Sequence, residues 1–195
     1  RFMPPQDPDP WDGVLECNDF GPVARQVVPW YPDSVQDEKK LFSLNVWTPG
    51  INDGKKRAVM FWLHGGGFHV GASNDPMTYG KALAKKGDIV VVSINHRLNI
   101  LGFLDLSACG EKYAKSANVG MLDIVKALEW VKNNIENFGG DPSNVTIFGE
   151  SGGGGKVGTL MCMPSAKGLF HKAIIQSGTL PNIMTKEKSQ ALGLA

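Results

Sequence analysis

The chain has 195 residues, 42% of them hydrophobic and 20% charged, with Lys plus Arg outnumbering Asp plus Glu by 20 to 19. That length and composition suit one sizeable globular core and exclude a disordered or fibrous chain. A net charge of +1 gives no electrostatic case for nucleic acid or an anionic membrane surface, so a partner has to be argued from a site.

No apolar run approaches the length of a membrane span, and no charged-then-apolar leader opens the chain, which leaves its compartment open. Cys17, Cys109 and Cys162 show neither CxxC nor Cys/His ligand spacing, so no disulfide framework or metal site is indicated; they read as buried or incidental thiols. Residues 1 to 37 hold PPQDPDPWDG and PWYPDS, where proline fixes φ and removes donors; an ordered coil with at most a short edge hairpin is expected.

From Leu41 onward strand-like and helix-like signals alternate: LFSLNVW, AVMFWLH, a helix near Pro76 to Lys86, then IVVVSIN. This rhythm predicts crossover units on a mostly parallel sheet with helices on both faces, an α/β fold. In NVGMLDIVKALEWVKNNIENF, Met121, Ile124, Val125, Leu128, Val131, Ile135 and Phe138 recur along one helical face, with Asn118 placed to cap the start and Gly139 to end it. GGDPSN then reads as a turn, VTIF as a short buried strand, the glycine run as a second turn before a helix, and KAIIQSG as another strand. No repeat or linker divides the chain.

FGESGGGGKVG raises the functional question. A phosphate loop needs glycine six residues before Lys156 and Ser or Thr after it, whereas Glu150 and Val157 stand there. Gly153, Gly155 and Gly158 spell a dinucleotide fingerprint, but the next strand ends in Gln176 and Ser177 rather than an acid. Gly149-Glu150-Ser151-Gly152-Gly153 satisfies G-x-S-x-G, the nucleophile elbow, in which a strand turns sharply into a helix and the neighbours must lack side chains. Ser151 would then project above the sheet at the positive end of a helix. A second motif, HGGGF from His64 to Phe68, follows AVMFWL where an oxyanion-hole loop is expected. Either motif alone also fits a crowded turn or a flexible glycine loop. Their joint occurrence at strand ends in the required order points to acyl chemistry.

LNVWTP, FWLHGGGF, INHRLNILGFL, the long segment from Asn118 through GESGGG, and GLFHKAIIQSG together resemble the type-B carboxylesterase family, the cholinesterase-like branch of the α/β-hydrolases, through nearly the entire chain. The resemblance implies that Ser151 is the nucleophile and that Gly66, Gly67 and Gly152 donate the oxyanion-hole N–H groups. It also implies that Glu150 lies near the site without being the triad acid, and that Arg97 and Asp123 form a structural ion pair. Position 152, usually alanine in the family, is glycine, which keeps the donor and is expected to loosen the loop. SEDCLYLN reads EKKLFSLN, so Leu41 replaces a disulfide cysteine, Lys39 replaces an acid, and the salt bridge that Arg1 would complete is expected to be absent. His96 replaces a tyrosine.

The fold's acid and histidine follow the serine, yet beyond Ser151 the chain offers only His171, in the surface-helix-like segment GLFHKAI. His64 reads as a loop anchor and His69 as a loop or pocket residue. Asn144-Val145-Thr146 is a sequon whose last two residues begin a buried strand, and Lys156, five residues past Ser151, does not fit Ser-x-x-Lys chemistry. The five strand signals match the second to sixth strands of the hydrolase fold. Residues 1–195 are thus expected to be the N-terminal part of a single hydrolase domain without its C-terminal strands. The remainder, from the same gene product or a companion chain, would supply acid and base. The expected activity is hydrolysis of small-molecule carboxylic esters through an acyl-enzyme, without cofactor or metal, and poor in this chain alone. A non-catalytic cholinesterase-like adhesion protein is the alternative.

Overall fold

The apolar runs form five strands among the residues that the structure, a computed structural model, describes: 1–27, 35–178 and 183–195. They are β1 (Leu44–Trp47), β2 (Arg57–Leu63), β3 (Val90–Ile94), β4 (Gly140–Glu150) and β5 (Lys172–Gln176). The sheet order is β1-β3-β2-β4-β5, with β1 antiparallel to β3 and every other neighbour parallel. Parallel neighbours need crossovers. α1 (Lys81–Gly87) connects β2 to β3, α2 (Asn99–Phe103) and α3 (Val119–Asn134) lie between β3 and β4, and α4 (Gly152–Cys162) connects β4 to β5. α5 (Lys186–Leu194) closes the described chain.

β2 buries every second residue, whereas β3 is buried throughout, as expected of a strand covered on both faces. Val59, Phe61 and Leu63 of β2, with Val92 and Ile147 beside them, share a core with Ile124 and Leu128 of α3 and Val157 and Leu160 of α4. On the opposite face the chain entering α1 presses close: a Cβ added at Gly80 would lie 2.6 Å from Val91 Cγ1 and 2.7 Å from Trp47 Cε3. Helical segments therefore cover both faces.

Several local expectations are corrected. The helix near Pro76 to Lys86 splits into a 3-10 turn, Pro76–Thr78, and α1, because Tyr79 adopts ψ 125° between them. GGDPSN is no free turn: β4 already pairs with β2 at Gly140, and a register shift between Arg57 and Val59 absorbs the bend as a bulge. Turn chemistry persists inside it, with Ser143 N donating to Asp141 Oδ1 at 2.8 Å. Asn118 makes no side-chain cap bond, while Gly139, at φ 76°, ends the 3-10 turn Ile135–Phe138 that follows α3. GLFHKAI is not helical; His171 immediately precedes β5, whose five residues are all exposed. Of the two readings of the thiols, buried or incidental, the second holds: all three are free and exposed. In the N-terminal coil only the parallel bridge Val23–Gln36 is seen among the described residues, and PWYPDS lies outside them. Leu41, at the family's cysteine position, is fully buried.

Candidate active site

Strand order places the site. From β2 the chain moves outward to β3 and then returns to the other side of β2 as β4, so the switch point lies between the carboxyl ends of β2 and β4. Open α/β sheets bind ligands at such a crevice. HGGGF leaves β2 there and Ser151 leaves β4 there.

Ser151 sits at φ 54° and ψ −120°, a backbone position that costs an L-residue about 1–3 kcal/mol. Its N–H donates to Gln176 O of β5 at 2.9 Å and its carbonyl accepts the first α4 bond from Gly155 N at 3.1 Å, so the bend is held from both sides. The residue is exposed. Its glycine neighbours are demanded by space: a Cβ at Gly149 would lie 2.5 Å from the Gly153 carbonyl carbon, and one at Gly153 would lie 2.0 Å from Leu63 O. Gly153→Ala is therefore expected to destabilise by about 1–3 kcal/mol, since the clash is with backbone; a denaturant midpoint equal to that of the parent protein would contradict it.

The loop after β2 turns through three consecutive positive φ values, 88° at Gly66, 60° at Gly67 and 68° at Phe68. Gly66 O accepts from His69 N at 3.0 Å and Val70 N at 3.1 Å, while Phe68 O accepts from Asn99 N at 2.8 Å. The amides of Gly66 and Gly67 donate to no acceptor among the described residues, and that of Gly152 opens α4, where N–H groups are free by construction. The loop and the elbow touch. A Cβ at Gly152 would lie 2.5 Å from Gly67 N, and one at Gly65 would lie 3.6 Å from Ser151 Cβ and 3.2 Å from Glu150 Oε2. Glycine at 152 thus admits a close approach of the loop to α4.

Of the four histidines, His64, His96 and His171 are engaged elsewhere, while His69 is exposed in the loop after β2. His64 and His96 are buried and stacked at 4.9 Å, with Nδ1 of each 2.9 Å from a neighbouring carbonyl, Gly65 O and Arg97 O. Burial, then the charge of Lys156, pushes both imidazoles well below their ordinary range. His171 Nδ1 accepts from Val145 N at 3.1 Å, at the far end of β4 from Ser151. The structure also reveals what spacing hid: Lys156 is wholly buried and donates from Nζ to His64 O at 2.9 Å. Among the described residues no group of His, Cys, Asp and Glu could hold a metal ion, and no helix is long and apolar enough to cross a membrane.

A mostly parallel sheet whose switch point carries a strained serine defines an α/β-hydrolase. The structure of a carboxylesterase from Geobacillus stearothermophilus matches it at a TM-score of 0.83 and 51% identity, over 89% of this chain and 35% of that one. The family described as "Carboxylesterase family" matches residues 1–194, and the chain belongs to it. It is 42% identical to para-nitrobenzyl esterase of Bacillus subtilis over 199 residues, covering 100% of this chain and 40% of that relative. Carboxylesterase 3B of Mus musculus is 43% identical over 198 residues, covering 96% of this chain and 34% of that relative. The chain therefore spans 34 to 40% of the length of these two relatives.

Proposed function

We propose that the intact gene product is a serine hydrolase of small-molecule carboxylic esters. The observation that carries the reading is the exposed Ser151 on a strained bend, packed against the loop of Gly66 and Gly67 at the switch point. Ser151 Oγ attacks the ester carbonyl, and the carbonyl electrons move onto oxygen. The N–H groups of Gly66, Gly67 and Gly152 receive that charge, each donor contributing about 3 to 4 kcal/mol. Collapse of the intermediate breaks the bond to the alcohol, which leaves with a proton, and water then releases the acid from the acyl-enzyme. The reading calls on no metal or organic cofactor.

Proton transfer needs a base, and among the described residues His64, His96 and His171 are held by other partners. His171 bonds to Val145, which along an extended strand is about 20 Å from the elbow. The base and its orienting acid belong to polypeptide beyond these residues, which would also cover β5, where Ile174 and Ile175 stand 43% and 45% exposed.

A fluorophosphonate probe tests the reading. In the intact gene product it is expected to modify Ser151, identified by peptide mass mapping. A folded protein that stays unlabelled would leave the adhesion or interaction role instead.

A further inference from the structure

Lys156 is the buried group that the proposed chemistry leaves unused. It lies on α4, one turn beyond the elbow, and its side chain is wholly enclosed. An ammonium withdrawn from water without a carboxylate partner is unfavourable, so other partners must hold it. Two do: Nζ donates to His64 O at 2.9 Å and stands 5.4 Å from the centroid of the Phe68 ring, within cation–π reach. His64 and Phe68 are the first and last residues of HGGGF. One cation thus touches both ends of the loop that carries Gly66 and Gly67. Phe68 is itself held at φ 68°, which an aromatic residue adopts only when its surroundings enforce it, and Phe103 meets its ring edge-on at 5.3 Å.

We infer that Lys156 is a positioning residue whose ammonium clamps the HGGGF loop, keeping the Gly66 and Gly67 amides in the orientation an oxyanion requires. The inference rests on the hydrolase reading above. Burial lowers Lys156 to about 7, so the charge on the clamp is lost as pH rises through neutrality. The neutral amine keeps a weaker hydrogen bond and no cation–π contact. The titratable groups facing Nζ are His64, just past β2, and His96, in the loop after β3, both held neutral by burial. Arg97, next in that loop, and Asp123 of α3 neutralise each other.

The test follows the rate of Ser151 phosphonylation, and kcat and KM for an activated aryl acetate, from about pH 5.5 to about pH 9 in the intact gene product. At the acidic end Lys156→Met is expected to lower phosphonylation and kcat about tenfold with KM within about twofold. The ratio of wild type to variant should fall toward one as pH passes about 8, where the parent amine is neutral. Lys156→Gln, which keeps an N–H donor without the charge, should lose less, and the ratio of wild type to it should likewise fall toward one with rising pH; it carries the test alone if the methionine variant does not fold. A wild type labelled at Ser151 with a ratio that is flat in pH, or with equal rates throughout, overturns the clamp and leaves the hydrolase. A wild type that is never labelled at Ser151 removes both.

Discussion

Ser151→Ala in the intact gene product is expected to lower kcat/KM for esters by at least about 10³-fold, leaving the residual catalysis of the oxyanion donors. Ser151→Gly should be equally inactive but should melt at a higher temperature than Ser151→Ala. Alanine must occupy the same φ of 54° and ψ of −120° with a Cβ in place, whereas glycine adopts that conformation without steric conflict. Relief of strain amounts to about 1–3 kcal/mol, against about 0.5–1 kcal/mol for the greater freedom of glycine in the unfolded chain. A net gain near 1 kcal/mol remains, measurable by denaturant unfolding. Hydrolysis retained in Ser151→Ala would place the nucleophile elsewhere, and a glycine variant less stable than the alanine one would mean that the bend stores no strain. Paired in this way, the two variants separate what the serine does from what its backbone costs.

The legible parts of this fold are those where local sterics or one-sided burial dictate residue type. The strand-like run AVMFWL marked β2, the three- and four-residue spacing from Met121 to Phe138 marked α3 and the 3-10 turn after it, and the glycines flanking Ser151 marked the bend, because a Cβ at Gly149 or Gly153 would meet backbone. What depends on distant neighbours was hidden. Asp141 and Pro142 carry turn chemistry, so the strand pairing that runs through them shows only in the register with β2. KAIIQ reads as a strand, but how far it is covered is not written in its residues: all five are exposed. Lys156 looks like one more helical lysine; only the convergence of α4 with the loops after β2 and β3 encloses it against His64 and Phe68. Arg97 and Asp123, 26 residues apart, carry no spacing signal and were reached through the family resemblance alone.

Asp123→Ala is expected to destabilise the protein by about 3–5 kcal/mol, because it strands a charge rather than deleting a favourable contact. Asp123 Oδ2 accepts from Arg97 N at 3.0 Å and from Arg97 Nε at 2.8 Å, and Oδ1 accepts from Nη2 at 2.5 Å, all buried. Arg97 Nη1 reaches Met3 O at 2.8 Å and the guanidinium carbon stands 5.3 Å from the Phe42 ring, so one side chain ties the N-terminal coil and the β3 loop to α3. Burial pushes the Asp123 carboxyl up, and the hydrogen bonds from Arg97 pull it down without fully offsetting the burial. The pair is therefore a poor source of net stability even though losing one member is costly. That asymmetry makes a second, opposite expectation: Arg97→Met combined with Asp123→Leu, which removes both charges and refills the space, should cost less than Asp123→Ala alone. Denaturant unfolding of the single and double variants measures the difference, and kcat of the folded fraction should stay within a few-fold of the parent protein. An Asp123→Ala protein that melts like the parent but has lost turnover would give this carboxylate a chemical role, and a double variant worse than the single would mean that the fold needs the charges themselves.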